Sequence, residues 1–189
     1  ELYASAGIFN GSSDGEGINR PGLDTNHTGV LSVRWNPMGK MNPYQEGDVD
    51  WTDDAAVSVG AAYAYSDYKS SLGGDTVEDL GANSVSVDGN LKYQGISVHT
   101  EIFSTSVNPD NGDNTNPVGF YAQAGYFWIP KKLELAARYG YVDCDDGTAY
   151  GALCSGYDNA NDVTVGVNYY FWKHHLKAQL NYDFLNQDV

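Results

Sequence analysis

The chain has 189 residues and a formal net charge of −15, and a strongly acidic protein of this kind disfavours a nucleic-acid partner. It contains 15 Tyr and 22 Gly but only 6 Phe and 2 Met, and its mean hydropathy of −0.44 is unusual for a soluble hydrophobic core. The sequence has no apolar run of 18 residues, which excludes a transmembrane helix but leaves transmembrane strands open.

Alternation of apolar and polar residues predicts nine β-strands along the chain. We place them near Leu2–Asn10, Gly29–Asn36, Ala55–Ser66, Ser84–Tyr93, Ile96–Ser106, Val118–Ile129, Leu133–Asp143, Asp162–Phe171 and His174–Phe184. Several of these segments have ten or more residues, whereas strands of soluble sheets typically have about five or six. Such lengths suit a tilted strand that crosses a bilayer.

The connections between the predicted strands alternate in length. Long polar connections such as GSSDGEGINRPGLDTNHT and VNPDNGDNTNP alternate with the tight connections QG, PKK and WK. The exception is PMGKMNPYQEGDVDWTDD, which is long where a short turn is expected. Two-residue connections join antiparallel neighbours, so a parallel sheet is ruled out. Long loops at one end and short turns at the other are typical of an outer-membrane barrel.

The two faces of the predicted strands differ in polarity. Val163 and Val165 alternate with Thr164 and Gly166, and a soluble protein can also produce such a pattern. Aromatic residues near strand ends favour a membrane strand; they are Trp35, Tyr93, Trp128, Phe171, Trp172 and Phe184. Small residues on the apolar face also favour lipid contact over a packed soluble core; they are Ala61, Ala122 and Ala137. We therefore predict an all-β protein, a transmembrane antiparallel up-and-down β-barrel with water inside and lipid outside.

The same assignment predicts which charged and titratable side chains line the pore. They are Arg34, Asp88, Lys92, His99, Glu101, Glu134, Arg138, Lys177 and Asp183. Opposed charges across a narrow lumen would create a transverse field that selects small ions. The alternative is that these charges pair across neighbouring strands and only keep the wall polar. Arg34 and Arg138 are the leading candidates for anion binding, because a guanidinium group binds oxyanions through two hydrogen bonds and stays charged.

Two cysteines, Cys144 and Cys154, lie in a polar, glycine-rich loop and predict a disulfide in an oxidising compartment. Two unpaired surface thiols are the alternative.

The acidic stretches DNGDNTN and DCDDG lack the glutamate spacing of a calcium loop, so we predict solvated loops and no metal or cofactor. Loose divalent bridging from these loops to lipopolysaccharide phosphates stays open. His27 near Asp24 lacks a nucleophile beside it, so we predict no enzymatic activity.

Several segments, taken together and in order, resemble a known family. AGIFNG, RWNPMG with PYQEGDVDW, FYAQAGYFWIPKKLELAARYGYVD and NDVTVGVNYYFWKHHLKAQLNYDF resemble successive segments of the phosphate-selective (O and P type) porins of Gram-negative bacteria. The resemblance implies a homotrimeric barrel of about 16 strands, embedded in outer-membrane lipid and lipopolysaccharide, that passes anionic solutes. It also implies a PYSEGD-like periplasmic segment, which accounts for the long exceptional connection.

An even number of strands closes a single-chain bacterial barrel, so nine strands indicate a partial barrel domain over residues 1–189. The sequence begins inside a strand pattern at Glu1 and stops at LNQDV, without the terminal aromatic strand that the resemblance implies, so we expect roughly the C-terminal half without its final strand. Ten basic residues against 25 acidic ones leave the phosphate preference open.

A soluble, secreted β-sandwich that stacks carbohydrate on Tyr and Trp is the competing hypothesis. A third is an outer-membrane enzyme, in which His27 would have to act.

Overall fold

The computed structural model describes residues 1–10, 27–42, 45–71, 77–109, 114–144 and 158–188. These residues form one nine-stranded sheet. Its strands are β1 (Leu2–Asn10), β2 (His27–Met38), β3 (Ala56–Ser71), β4 (Val77–Tyr93), β5 (Ile96–Pro109), β6 (Val118–Ile129), β7 (Leu133–Asp143), β8 (Asn159–Trp172) and β9 (Leu176–Asp188). In this part of the chain, no helix has the length and apolar character needed to cross a bilayer.

Each strand pairs antiparallel with the next one in sequence, so the sheet is an up-and-down meander. The predicted fold class and the predicted order of nine strands are confirmed. Several strands are longer than predicted at their long-loop ends, and β3 and β4 reach 16 and 17 residues. Apolar alternation fades there, as in the pairing of Lys69 with Asp79, but the backbone ladder continues because it needs no apolar side chain.

The short turns all lie at one end of the sheet. Gln94 and Gly95 join β4 to β5 with φ values of 47° and 81°, the left-handed geometry that matches the twist of a two-residue hairpin. Lys131 and Lys173 take φ values of 61° and 45° in the β6–β7 and β8–β9 turns. A Cβ atom on Gly95 would lie 2.5 Å from the Trp51 ring, so this position needs glycine for space as well as for backbone geometry.

The apolar face of the sheet is exposed along its whole width. Side chains from different strands, such as Val87, Ile102 and Leu180, are 56%, 62% and 75% exposed. A continuous apolar surface of this size marks a contact with lipid or with another protein. Among the described residues no second sheet covers this face, so these residues do not form the buried layer between two sheets that defines a β-sandwich.

A short segment that we call the strap, residues 45–52, lies on the opposite, polar face across the short-turn ends. It belongs to the long connection between β2 and β3. Its Asp48 is 2% exposed and accepts hydrogen bonds from the backbone N–H groups of Gly95 (2.8 Å) and Thr52 (2.9 Å) and from the Thr52 hydroxyl (2.5 Å). The Lys92 ammonium donates to the backbone carbonyl of Gln45. The buried charge of Asp48 is therefore well satisfied, which burial of a carboxylate requires.

The strap also covers a small apolar cluster and reaches the β8–β9 turn. Val49 packs against Phe127 and Tyr170, whose ring centroids are 5.2 Å apart, and all three side chains are almost fully buried. Asp50 accepts a 2.6 Å hydrogen bond from Lys173, which lowers the pKa of the Asp50 carboxyl. Burial lowers the pKa of the neighbouring His174 imidazole. Together these contacts tie the strap to three hairpins.

We expect Asp48→Ala to detach the strap, because the buried N–H of Gly95 would lose its acceptor. The free energy of unfolding should fall by about 1–3 kcal/mol. Asp50→Ala is the matched control: it removes an exposed ion pair, so it should cost less than about 1 kcal/mol. Urea unfolding of the refolded protein in detergent measures both. Equal losses from the two substitutions would contradict the role assigned to Asp48.

Candidate functional site: the polar wall

The register of the sheet places the predicted pore-lining residues on one face, which we call the polar wall. One cross-strand row pairs Arg34 with Gly60, Gly60 with Asp88, and Asp88 with Glu101. The other predicted residues, Lys92, His99, Glu134, Arg138, Lys177 and Asp183, occupy neighbouring rows of the same face. The strap lies across the same face. Among the described residues, the polar wall therefore carries both the predicted pore-lining charges and the one long connection at the short-turn end.

Arg34 forms an ion pair that spans a whole strand. Its guanidinium nitrogens donate to the two carboxylate oxygens of Asp88 at 2.7 and 2.8 Å, and one nitrogen also donates to the Ser58 hydroxyl at 3.0 Å. The pair passes over Gly60 on β3, where a Cβ atom would lie 2.3 Å from Asp88 Oδ1. Asn90 donates a further hydrogen bond to Asp88 at 2.8 Å. Arg34 is therefore engaged in the cross-strand pairing that the sequence offered as the alternative to anion binding.

Tyr121 connects the next group of polar residues. Its hydroxyl donates to Glu101 Oε2 at 3.1 Å and lies 3.4 Å from His99 Nε2. The Arg138 guanidinium lies over the Tyr121 ring, 4.6 Å from the ring centroid, which is a favourable cation–π distance. Within the described part of the chain, no carboxylate lies at salt-bridge distance from Arg138. Its charge is thus not neutralised in the way that Asp88 neutralises Arg34.

Glu134 is a buried carboxylate next to the strap. It is 3% exposed and accepts hydrogen bonds from the Tyr170 hydroxyl at 2.6 Å and from Asn168 Nδ2 at 3.0 Å. Its other oxygen lies beside the strap backbone, since a Cβ atom on Gly47 would be 2.7 Å from it. The sequence predicted Glu134 as a lumenal charge but did not predict this strap contact, because a segment folded across a sheet leaves no periodic signal.

The remaining lysines of the polar wall are held in two different ways. Lys92 donates to the strap carbonyl of Gln45, whereas the Lys177 ammonium lies 5.8 Å from the centroid of the Tyr170 ring. Asp183 accepts a 2.6 Å hydrogen bond from the Thr164 hydroxyl. Arg138 and Lys177 are therefore the wall cations whose described contacts are aromatic rings.

Other predicted features lie partly outside the described residues. Cys144 is buried and disulfide-bonded, while Cys154 lies outside the described residues, so the pairing of the two stays a prediction. Most of the two acidic stretches, and Asp24 beside His27, also lie outside that part of the chain. Among the residues that the structure describes, no group of three or more His, Cys, Asp or Glu side chains could hold a metal ion.

We expect Gly60→Ala to break the ion pair that crosses β3, because its methyl group would collide with both Asp88 and Arg34. The free energy of unfolding should fall by about 1–3 kcal/mol. Gly89→Ala is the control, since its Cβ atom would meet only the Thr100 hydroxyl, at an ordinary 3.5 Å. Urea midpoints in detergent compare the two variants. An unchanged midpoint for Gly60→Ala would show that the pair does not depend on this gap.

Comparison with known proteins agrees with the all-β architecture. A family model described as phosphate-selective porin O and P matches residues 4–185. A search of curated proteins gave no significant match, and a search of solved structures gave none either. The matched range extends from β1 into β9 and so covers nearly the whole chain. The chain belongs to the phosphate-selective porin O and P family.

Proposed function

We propose that this protein is a passive outer-membrane diffusion channel for small ions and anionic solutes such as phosphate. Membership of a porin family supports a channel function, and the nine strands with their polar wall would form part of the channel's lining. The observation that carries the proposal is the exposed apolar face of the sheet behind a polar, charged face. Lipid would cover the first face and water the second, as in other transmembrane barrels.

The edges of the sheet fit this proposal. β1 and β9 each have one neighbouring strand among the described residues, and β9 is exposed along nearly its whole length. In a bilayer the outer backbone groups of both strands need hydrogen-bond partners, so further strands must complete the barrel. We therefore treat residues 1–189 as part of one barrel domain, and a homotrimer surrounded by lipid and lipopolysaccharide as its expected assembly.

Ion selection would depend on the charges of the polar wall that remain unpaired. The Arg34–Asp88 pair contributes little net field, because the two opposite charges lie 2.7 Å apart. Arg138 differs, since its ring contact with Tyr121 leaves guanidinium N–H groups for a passing oxyanion. No step of this mechanism uses a cofactor or chemical turnover: the solute moves down its gradient, and pore width and lining charge set the selectivity.

We expect Arg138→Gln to reduce the anion-to-cation permeability ratio of the full-length protein about six- to thirtyfold, because one charge at 4–8 Å in water changes the partition of anions and of cations by about two- to sixfold in opposite directions. The reversal potential in a planar bilayer under a potassium chloride gradient measures this ratio. The matched control is the double variant Arg34→Gln with Asp88→Asn. It removes two charges that already cancel, so the ratio should stay near that of the unaltered protein.

Three outcomes would contradict the proposal at different levels. Cation preference in the unaltered protein would rule out an anion channel. An equal shift in Arg138→Gln and in the double variant would remove the special role of Arg138. Absence of any conductance would rule out the porin itself.

A further inference from the structure

The polar wall contains a trough that three cross-strand rows create between β6 and β9. The middle row consists of Gly125, Ala136 and Gly166, which have little or no side chain, and of Asn181 on β9. Larger polar residues stand in the rows on either side, so a cavity of about 260 Å³ remains above the small residues. This volume is below the range of about 300–1,000 Å³ that holds drug-sized ligands, so the trough suits a solute of a few carbon atoms.

The two glycines in the floor of the trough leave room for the side chains of Glu134 and Asn181. A Cβ atom on Gly125 would lie 2.3 Å from Glu134 Oε1, and one on Gly166 would lie 2.5 Å from Asn181 Oδ1. The carboxylate and the amide oxygen therefore approach the backbone directly. Both are acceptors, which decides what a solute must offer on this side of the trough.

The first side row contributes Arg138, the one cation among the described residues that line the trough. Arg138 pairs with Thr164, and Thr164 pairs with Asp183, in register across β7, β8 and β9. Arg138 has no carboxylate partner among the described residues, so its guanidinium is available for one anionic group. The Thr164 hydroxyl occupies Asp183 Oδ1, and no donor among the described residues reaches Asp183 Oδ2.

The second side row and the strap add further acceptors. In register, Glu134 pairs with Asn168, and Asn168 pairs with Gln179. Gln179 Nε2 donates a hydrogen bond to Asn168 Oδ1 at 2.9 Å, and Gln179 Oε1 accepts none from the described residues. Glu46 of the strap also lines the trough. The lining thus holds one guanidinium group against the three carboxylates of Glu46, Glu134 and Asp183. An anion without hydrogen-bond donors would gain one contact and face three repulsive groups.

We propose that this trough is a transient subsite for a small anion that carries hydroxyl groups, such as a phosphate monoester of a three-carbon polyol. The anionic group binds Arg138, and the hydroxyl groups donate to Asp183, Gln179 and the neighbouring acceptors. The trough discriminates against an anion of the same charge and similar size that lacks hydroxyls, because its acceptors would lose water without a replacement. The inference rests on the proposed channel function and adds a solute class to it.

Block of the chloride current by two matched solutes tests the subsite. Glycerol phosphate and propyl phosphate carry the same charge and have similar size, and only the first has hydroxyl groups. With the full-length protein in a planar bilayer, we expect glycerol phosphate to reach half-block at about a tenfold lower concentration. Asp183→Ala should remove most of this preference, whereas Arg138→Gln should weaken the block by both solutes and leave their ratio largely unchanged.

The control for Asp183→Ala is Asp162→Ala, which removes a carboxylate from the polar-wall face of β8, outside the trough. Asp162→Ala should preserve the tenfold preference, and normal single-channel conductance confirms that each variant is folded. Equal block by the two solutes in a conducting channel would overturn the subsite and leave the porin standing. An equal loss of preference in both Asp variants would also overturn it, since the effect would then come from net charge alone. Absence of conductance would overturn the channel and the subsite together.

Discussion

Backbone N–H and C=O groups cannot face hydrocarbon without hydrogen-bond partners, and this constraint governs the architecture of the chain. A meander of nine antiparallel strands satisfies them laterally, each strand with the next. Once the ladder carries the backbone, side chains are free to divide between two solvents. Every second residue can then be apolar and exposed, as Val163, Val165 and Val167 are on β8. The exposed apolar surface is therefore a consequence of the fold and not a defect in packing.

The polar wall depends on a different kind of order, in which buried or half-buried charges are matched across strands. Arg34 and Asp88 pair over the gap at Gly60, and Asp48 holds the strap against the short-turn end. Such pairs are costly to break because the remaining charge would lack a partner. They fix the shape of the wall, including the positions of the strap and of the trough.

The strands and their faces could be predicted from the sequence because side-chain alternation has a strict period of two residues. Val118–Ile129 and Leu133–Asp143 were predicted with the bounds that the structure shows. The Arg34–Asp88 pair could not be predicted, since it joins β2 to β4 and depends on the register of both with β3. The position of the strap could not be predicted for a related reason. It contacts Gly95, Phe127 and Lys173, which are distant from it in sequence, and no sequence repeat indicates these contacts. The sequence alone therefore shows which charged residues lie on the polar face, but which of them form ion pairs across several strands follows only from the register of the sheet.

We infer that the two faces of each strand meet different solvents. Single cysteines introduced by Thr164→Cys and Val165→Cys in the full-length protein, reconstituted in lipid vesicles, test it on adjacent residues of β8. A small, water-soluble, membrane-impermeant thiol reagent reports which side chain meets water. We expect rapid labelling at position 164 and protection at position 165. Equal labelling at both positions, or protection at 164 with labelling at 165, would contradict it.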